Sequence, residues 1–413
     1  MAPIRYHPHN MRFCHVSTFY PPYHFGGDGV LTQSICEGLV RRGHEVTIVH
    51  SADAYELRGA PITATPVDPP GLRRITIRSP AGALASLVTQ QTGRPGFLAG
   101  PLRQALAESF DVVHFHNISL IGGPGVLPLS RAPVTLYTPH DHWLFCTTHV
   151  LWKNRSAPCD RPQCFRCAVR SGIPPQLWRL GDHVARSLAH VDVMLAPSQF
   201  TADRHRAAGI TRPIQVLPSF TTTAPAFDRP RPSSGPFVYA GRLVGSKGIE
   251  QLLAAFAERP GLRLQVVGEG PLGEALRARY RQASHITFVG ALPHAAMRAL
   301  YAEALGVVIP SWGPEVFPLT AIEAMAAGAP VIVRRAGGSA EAVERTGGGL
   351  VYDDPAELLP LIDRLAADAG LRTTLSERGR AGVTASYVEG VWMAAYLAII
   401  DDVAGAKRPR CSP

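Results

Sequence analysis

From Met11 onward, short apolar runs alternate with stretches whose apolar residues recur at helical spacing. Met11–Ser17, His44–His50, Asp111–Asn117, Pro133–Thr138, Val191–Ser198 and Ile214–Leu217 are runs of the first kind. Bounded by Gly, Pro, Asn or Asp, each predicts a buried strand. Between the first two lies Val30–Arg42, a predicted helix with Leu31, Ile35 and Leu39 on one face and Gly43 as its stop. A strand, a glycine loop, a helix and a second strand open a doubly wound α/β domain. Further helices are expected over roughly 175–190 and from Gln199. The stretch 51–110, broken by Pro and Gly, predicts little.

The pattern restarts at Phe237–Leu243 and continues through the strands Leu262–Val267, Ile286–Gly290, Gly306–Pro310 and Pro330–Val333, with a helix over 293–304. Glycine runs at Gly337-Gly338 and Gly347–Gly349 predict loops around another helix, and helices from 355 to 402 finish the chain. The predicted organisation is two Rossmann-like, doubly wound α/β domains facing a cleft. The first spans 1–217, with 1–10 as an extension and an insertion over 143–175. A linker rich in Pro, Ser and Thr spans 218–236, and the second domain 237–390. Over 391–413, Trp392, Tyr396 and Ile399 predict a last helix that folds back on the first domain.

One stretch of the second half mixes charge into this apolar frame. Ser311–Gly328 joins two buried strands through a short helix, with Pro318 suited to its first position and Gly328 to its stop. Leu319, Ile322, Met325 and Ala326 form its buried stripe, and Glu315 and Glu323 interrupt it with the spacing Glu-x7-Glu. At 1.5 Å per residue Glu323 lies roughly 7 Å along the axis. Such a pair can hold two hydroxyl-bearing ends of one long ligand, while first-turn N–H groups face an anion between them. A surface helix explains Glu323 alone, but not the Glu-Val-Phe-Pro entry turn.

Composition narrows the class. The chain has 413 residues, is 46% hydrophobic, and carries a net charge of +9. No apolar run is long enough to span a membrane, and the N-terminus lacks the apolar core of a signal peptide, so a cytoplasmic protein is expected. The positive charge is dispersed, with no nucleic-acid-binding motif, although the basic surface and the last helix leave room for peripheral membrane contact at the inner face. Lys153, Lys247 and Lys407 are the only lysines. Lys247 stands in the glycine-rich loop Val244–Gly248, five residues after Arg242, and the two cations beside a helix start suit a diphosphate. Gly26-Gly27, His116 with Asn117, and His140 with Asp141 each follow a strand, so all are expected on one carboxyl-end rim. Cys146, Cys159, Cys164 and Cys167 in the insertion fit a structural, thiolate-ligated zinc site, with reduced thiols or an oxidised pair as alternatives.

Taken together, Gly241-Arg242-Leu243 with Lys247-Gly248, Gly268–Pro271, Glu315–Glu323, Gly26-Gly27 and Thr138–Asp141 resemble the family-4 glycosyltransferases of the two-Rossmann, GT-B type. The resemblance covers nearly the whole chain. It implies that a nucleotide-diphospho-sugar is held by the second domain and a glycan or natural-product acceptor by the first, with retention of anomeric configuration and no catalytic metal or other cofactor. It also implies that Arg242 and Lys247 neutralise the diphosphate, with Gly26, Gly27, Gly268 and Gly270 near the donor. Glu315, Phe317 and Leu319 would touch the sugar or phosphates, Glu323 the ribose, and His140 the transferred sugar. His116, Asn117 and Asp141 belong to the acceptor side on this reading. Many relatives have Gly where this chain has Val316 and Pro318. A sugar-nucleotide epimerase of similar architecture and a catalytically idle sugar-nucleotide-binding protein are the competing readings.

Overall fold

The computed structural model describes residues 10–57, 62, 67–223 and 234–407. The N-terminal extension, most of the linker and the basic tail beyond Lys407 lie outside them. The first sheet contains β1 (Arg12–Ser17), β2 (Glu45–Ser51), β3 (Leu72–Ile77), β4 (Val112–Phe115) and β5 (Val134–Tyr137). A two-stranded ribbon, β6 (Trp152–Lys153) and β7 (Ala157–Pro158), precedes its last members, β8 (Val193–Ala196) and β9 (Ile214–Val216). The second sheet contains β10 (Phe237–Ala240), β11 (Leu264–Val267), β12 (Ile286–Gly290), β13 (Gly306–Ile309), β14 (Val331–Arg334) and β15 (Gly349–Tyr352). The strand orders are β3-β2-β1-β4-β5-β8-β9 and β12-β11-β10-β13-β14-β15. Pairings within both sheets are parallel throughout. Each sheet grows outward from its first strand and then crosses to the other side. The switch points between β1 and β4, and between β10 and β13, are where such sheets bind ligands.

Besides the short ribbon β6–β7, two strands of the main sheets escape the sequence reading. β3 (Leu-Arg-Arg-Ile-Thr-Ile) buries only Leu72 and Ile77 fully and lies at a sheet edge, which hides its apolar signal. β15 starts at Gly349, inside a run that reads as loop. The helix expected from Val30 spans Gly27–Val40, so the glycine loop is itself a helix N-terminus. The single helix expected near 175–190 is a 3-10 turn at Leu177–Leu180 and a helix at His183–Leu188. Pro318 does not occupy the first helical position. It caps the helix Leu319–Ala326 with non-helical φ −89° and ψ 76°.

Each sheet is covered on both faces by apolar clusters. The last helix, Glu389–Lys407, buries Trp392, Met393, Tyr396 and Ile400 among Phe13, Ile35 and Leu39 of the first domain. A Cβ at Gly38 would meet Met393 Cε at 2.5 Å, so that glycine lets the helices close. Arg41 and Arg42 reach Glu389 at 2.5 and 2.8 Å. The apolar side of the last helix is thus engaged by the first domain. No helix among the described residues is long and apolar enough to cross a membrane.

The domains meet at further points. Thr221 pairs with Val388 where the chain crosses between them, and Thr221 N–H donates to the Tyr387 carbonyl at 2.9 Å. The first N–H groups of the helix Gln199–Ala207 donate to the Glu341 carboxylate, from Gln199 at 2.7 Å and Phe200 at 2.6 Å. An acid suits a helix N-terminus. Ser198 Oγ donates to the Val316 carbonyl at 2.7 Å.

Candidate functional site

A cavity of about 290 Å³ opens beyond the carboxyl ends of β10 and β13. Lys247, Ser311, Glu315, Thr320 and Glu323 supply its polar lining. Tyr239, Phe317, Pro318 and Leu319 supply apolar surface, and Gly27 closes it from the first domain. A Cβ on Gly27 would sit 2.8 Å from Leu319 Cδ1, so the domains touch there.

Backbone geometry forces the charged groups together. Gly248 has φ +69°, and a Cβ there would lie 2.0 Å from the Pro310 carbonyl, so only glycine lets this loop pass the end of β13. The Trp312 and Gly313 N–H groups donate to the Ser246 carbonyl at 2.9 and 2.8 Å, tying the two loops. Gly337, at φ +73°, lies flush with Glu315, where a Cβ would be 2.2 Å from the Glu315 carbonyl. Glu315 is thereby held, and Lys247 Nζ donates to its carboxylate at 2.6 and 2.8 Å. Ser311 Oγ donates to the same carboxylate at 2.6 Å. Further along the same segment, burial pushes the Glu323 carboxyl up, and His294, 3.6 Å away, pulls it partly back. Lys247 is the cation that lines the cavity. Arg242 is exposed outside it, with no side-chain hydrogen bond or ion pair among the described residues.

Gly268 and Gly270 do not line the cavity; they interlock with the Arg242 loop. A Cβ on Gly268 would meet the Gly241 carbonyl at 2.1 Å, and one on Gly270 the Leu243 carbonyl at 2.6 Å. Close backbone approach explains both glycines without a ligand.

The first-domain rim carries Gly26, which caps the helix Gly27–Val40, then Gly27 and Asp28 in its first turn. Asn117 Nδ2 donates to Asp28 at 3.3 Å. Asp28, which sequence reasoning passed over, was signalled only by an acid directly after two glycines. Half-buried His140 stands nearby, and the Asp28 charge acts on its ring. Two acceptor-side assignments change. His116 is fully buried, and its ring nitrogens are taken by His15 and His140, so it cannot touch an acceptor. The Asp141 carboxylate is occupied by the Trp143 N–H and the His149 ring, each at 2.8 Å, and holds the start of the insertion. Burial opposes its charge, but His149 and that N–H leave its carboxyl below the usual range.

Residues 25–224 match the family described as Glycosyltransferase Family 4, and residues 229–382 match Glycosyl transferases group 1. A D-inositol 3-phosphate glycosyltransferase of Xylanimonas cellulosilytica is 30% identical over 427 residues, covering 93% of this chain and 93% of its own. The chain is a family-4 glycosyltransferase. Among solved structures, this glycosyltransferase resembles sucrose-phosphate synthase from Thermosynechococcus elongatus, with TM-score 0.74 and 22% identity. That match covers 96% of this chain and all of the other. The Anabaena protein HepE, solved with UDP, matches with TM-score 0.66 and 16% identity over 95% of this chain and all of its own. Both likenesses show the two-domain GT-B fold.

The glycosyltransferase's four insertion cysteines line one small cavity of about 60 Å³. Asn154 and Arg155 there adopt φ of 53° and 61°, and the Asn154 N–H donates to Cys167 Sγ at 3.3 Å. Trp152 of the same insertion reaches the second domain, 3.7 Å from a Cβ placed on Gly313. A set of four thiols suits zinc. Their spacing is wider than ligation requires: among the described residues no three sulfurs lie within 4.8 Å of one another. Zn–S bonds of about 2.3 Å would draw them inward.

Proposed function

We propose that this glycosyltransferase transfers a sugar, with retention, from a nucleoside-diphospho-sugar to a hydroxyl of a glycan or natural-product acceptor. The observation that carries the reading is the Lys247–Glu315 pair inside a cavity that also holds Glu323 and the start of a helix whose N-cap, Pro318, gives it no side-chain hydrogen bond. In the free enzyme the two charges neutralise each other. A bound donor separates their tasks: Lys247 turns to the diphosphate, while Glu315, still held by Ser311, accepts hydrogen bonds from sugar hydroxyls. Glu323 accepts from the ribose hydroxyls. Arg242, unpaired on its loop, swings in as the second cation. As the bond from the anomeric carbon to phosphate breaks, charge grows on the leaving oxygens, and these cations stabilise it. The acceptor hydroxyl arrives past Gly27 and Asp28 on the side of the leaving group, its oxygen bonds to the anomeric carbon, and its proton passes to the departing phosphate oxygen. UDP in the HepE structure supports a uridine donor.

Incubation with a panel of nucleotide sugars and simple glycoside acceptors, with products followed by NMR, is expected to give a new glycoside of the donor's anomeric configuration. An epimerised nucleotide sugar formed without acceptor, or an inverted linkage, overturns the reading.

We also assign zinc to the four cysteines, as a staple for the insertion that carries Trp152. With four protein ligands it would keep no open position and take no part in transfer. Purified protein is expected to contain one zinc per chain, lost in Cys164→Ser together with thermal stability. Metal-free protein of unchanged stability contradicts this assignment.

A further inference from the structure

Three histidines, one in β1 and two just beyond the ends of β4 and β5, form a chain behind the rim. His140 Nε2 lies 2.9 Å from His116 Nδ1, and His116 Nε2 lies 2.9 Å from His15 Nδ1. The rings lie edge to edge and nearly coplanar, tilted by about 20° at each step, with centroids 5.2 Å apart. His15 and His116 are fully buried, and His15 Nε2 ends the chain without a partner among the described residues. At the other end His140 Nδ1 is neither buried nor hydrogen-bonded among the described residues. Nitrogens of His15, His114 and His116 lie within 4.8 Å of one another, as metal ligands could. Two facts favour hydrogen bonds over a metal. The rings run head to tail in one line instead of converging on a point, and His114 already engages Tyr396 at 3.0 Å and Thr138 at 2.8 Å.

Burial keeps these rings neutral, holding His15 down to about 3 and His116 well below the ordinary range. Each neutral ring carries one proton, and two hydrogen bonds link three rings, so all three must share one tautomer. If all are protonated at Nε2, the chain ends in a buried His15 N–H with no acceptor among the described residues, and His140 keeps only a bare Nδ1 lone pair within the field of Asp28. If all are protonated at Nδ1, the buried end keeps only a lone pair, and the spare N–H stands at His140, where the Asp28 and Asp141 charges favour it. The second arrangement wins at both ends.

We propose that His15 and His116 lock His140 in its Nδ1–H tautomer, so that the first-domain rim offers a fixed hydrogen-bond donor to an oxygen of the transferred sugar. His116 and His15 are positioning residues. The tautomer itself stands apart from the proposed transfer; its use on a sugar rests on that reading.

Long-range ¹⁵N–¹H correlation at neutral pH, on protein labelled at its 16 histidines with His140 assigned through His140→Asn, reads the tautomer directly. The expected pattern is protonated Nδ1 and bare Nε2 at His140. An Nε2–H pattern, or averaging between the two, overturns the proposal, with no variant needed. His116→Leu should release His140 to averaging and lower kcat about tenfold with UDP binding retained. His116→Gln, which keeps a paired donor and acceptor, should restore both. A locked tautomer in His116→Leu, or a Gln variant no better than Leu, also overturns it. If His140 is locked but no glycoside forms, the functional reading fails alone.

Discussion

Lys247→Ala is expected to lower the rate of sugar transfer by about 10²-fold or more, the loss seen when one preorganised charge stabiliser is removed from a leaving group. The same substitution strands the Glu315 carboxylate, whose side chain is only 17% exposed, with Ser311 as its remaining partner. It should therefore also cost stability, on the order of 1 kcal/mol because the pair is partly solvated. The double variant Lys247→Ala/Glu315→Gln separates the two effects. Removing the stranded charge should return the thermal midpoint toward that of the unmutated enzyme while transfer stays lost. Kinetics and thermal melts on the three proteins decide it, and transfer within threefold of normal in Lys247→Ala would refute the assignment.

Acidification should unfold the protein early. Burial holds His15, His50 and His142 down to about 3, against an ordinary 6.5. His114 and His116 are pushed the same way, again mainly by burial. Below pH 6.5 the unfolded chain takes up protons that the native state refuses, so stability is full above that pH and falls as pH drops toward the native values. At pH 5 each of the first three contributes a loss of about 2 kcal/mol at 1.36 kcal/mol per pH unit, or about 6 kcal/mol together. A domain is typically stable by only about 5–15 kcal/mol. Denaturant melts between pH 8 and 5 should show a steep fall beginning just below 6.5; a flat profile to pH 5 would mean that these rings are solvated. His15→Phe, if it folds, should flatten the slope by one proton.

The sheet frame is legible because the strands at both switch points are short apolar runs that periodicity picks out. β3 is not, since an edge strand with Arg73, Arg74 and Thr76 among its residues carries little apolar signal. In the site, Lys247, Glu315, Phe317, Leu319 and Glu323 could be found because one short loop and one loop-and-helix segment carry them all. The histidine chain could not. His15 and His116 are 101 residues apart, and nothing local in Cys14-His15-Val16 marks a ring that faces another strand. Gly268 and Gly270 show an ambiguity of the reverse kind: a glycine beside a phosphate and a glycine beside another backbone look alike in sequence. Only the neighbouring Gly241 and Leu243 backbone tells them apart.

The Val316 carbonyl accepts from Ser198 Oγ and, at 3.3 Å, from Thr201 Oγ1, while its neighbour Glu315 is clasped by the Gly338 N–H of the second domain at 2.7 Å. Adjacent peptide units thus belong mechanically to opposite halves of the molecule. Any swing that parts the halves pulls on the turn that aims the Glu315 carboxylate. Hinge position and aim of the carboxylate are geared to each other, as jaw and trigger are in a spring trap.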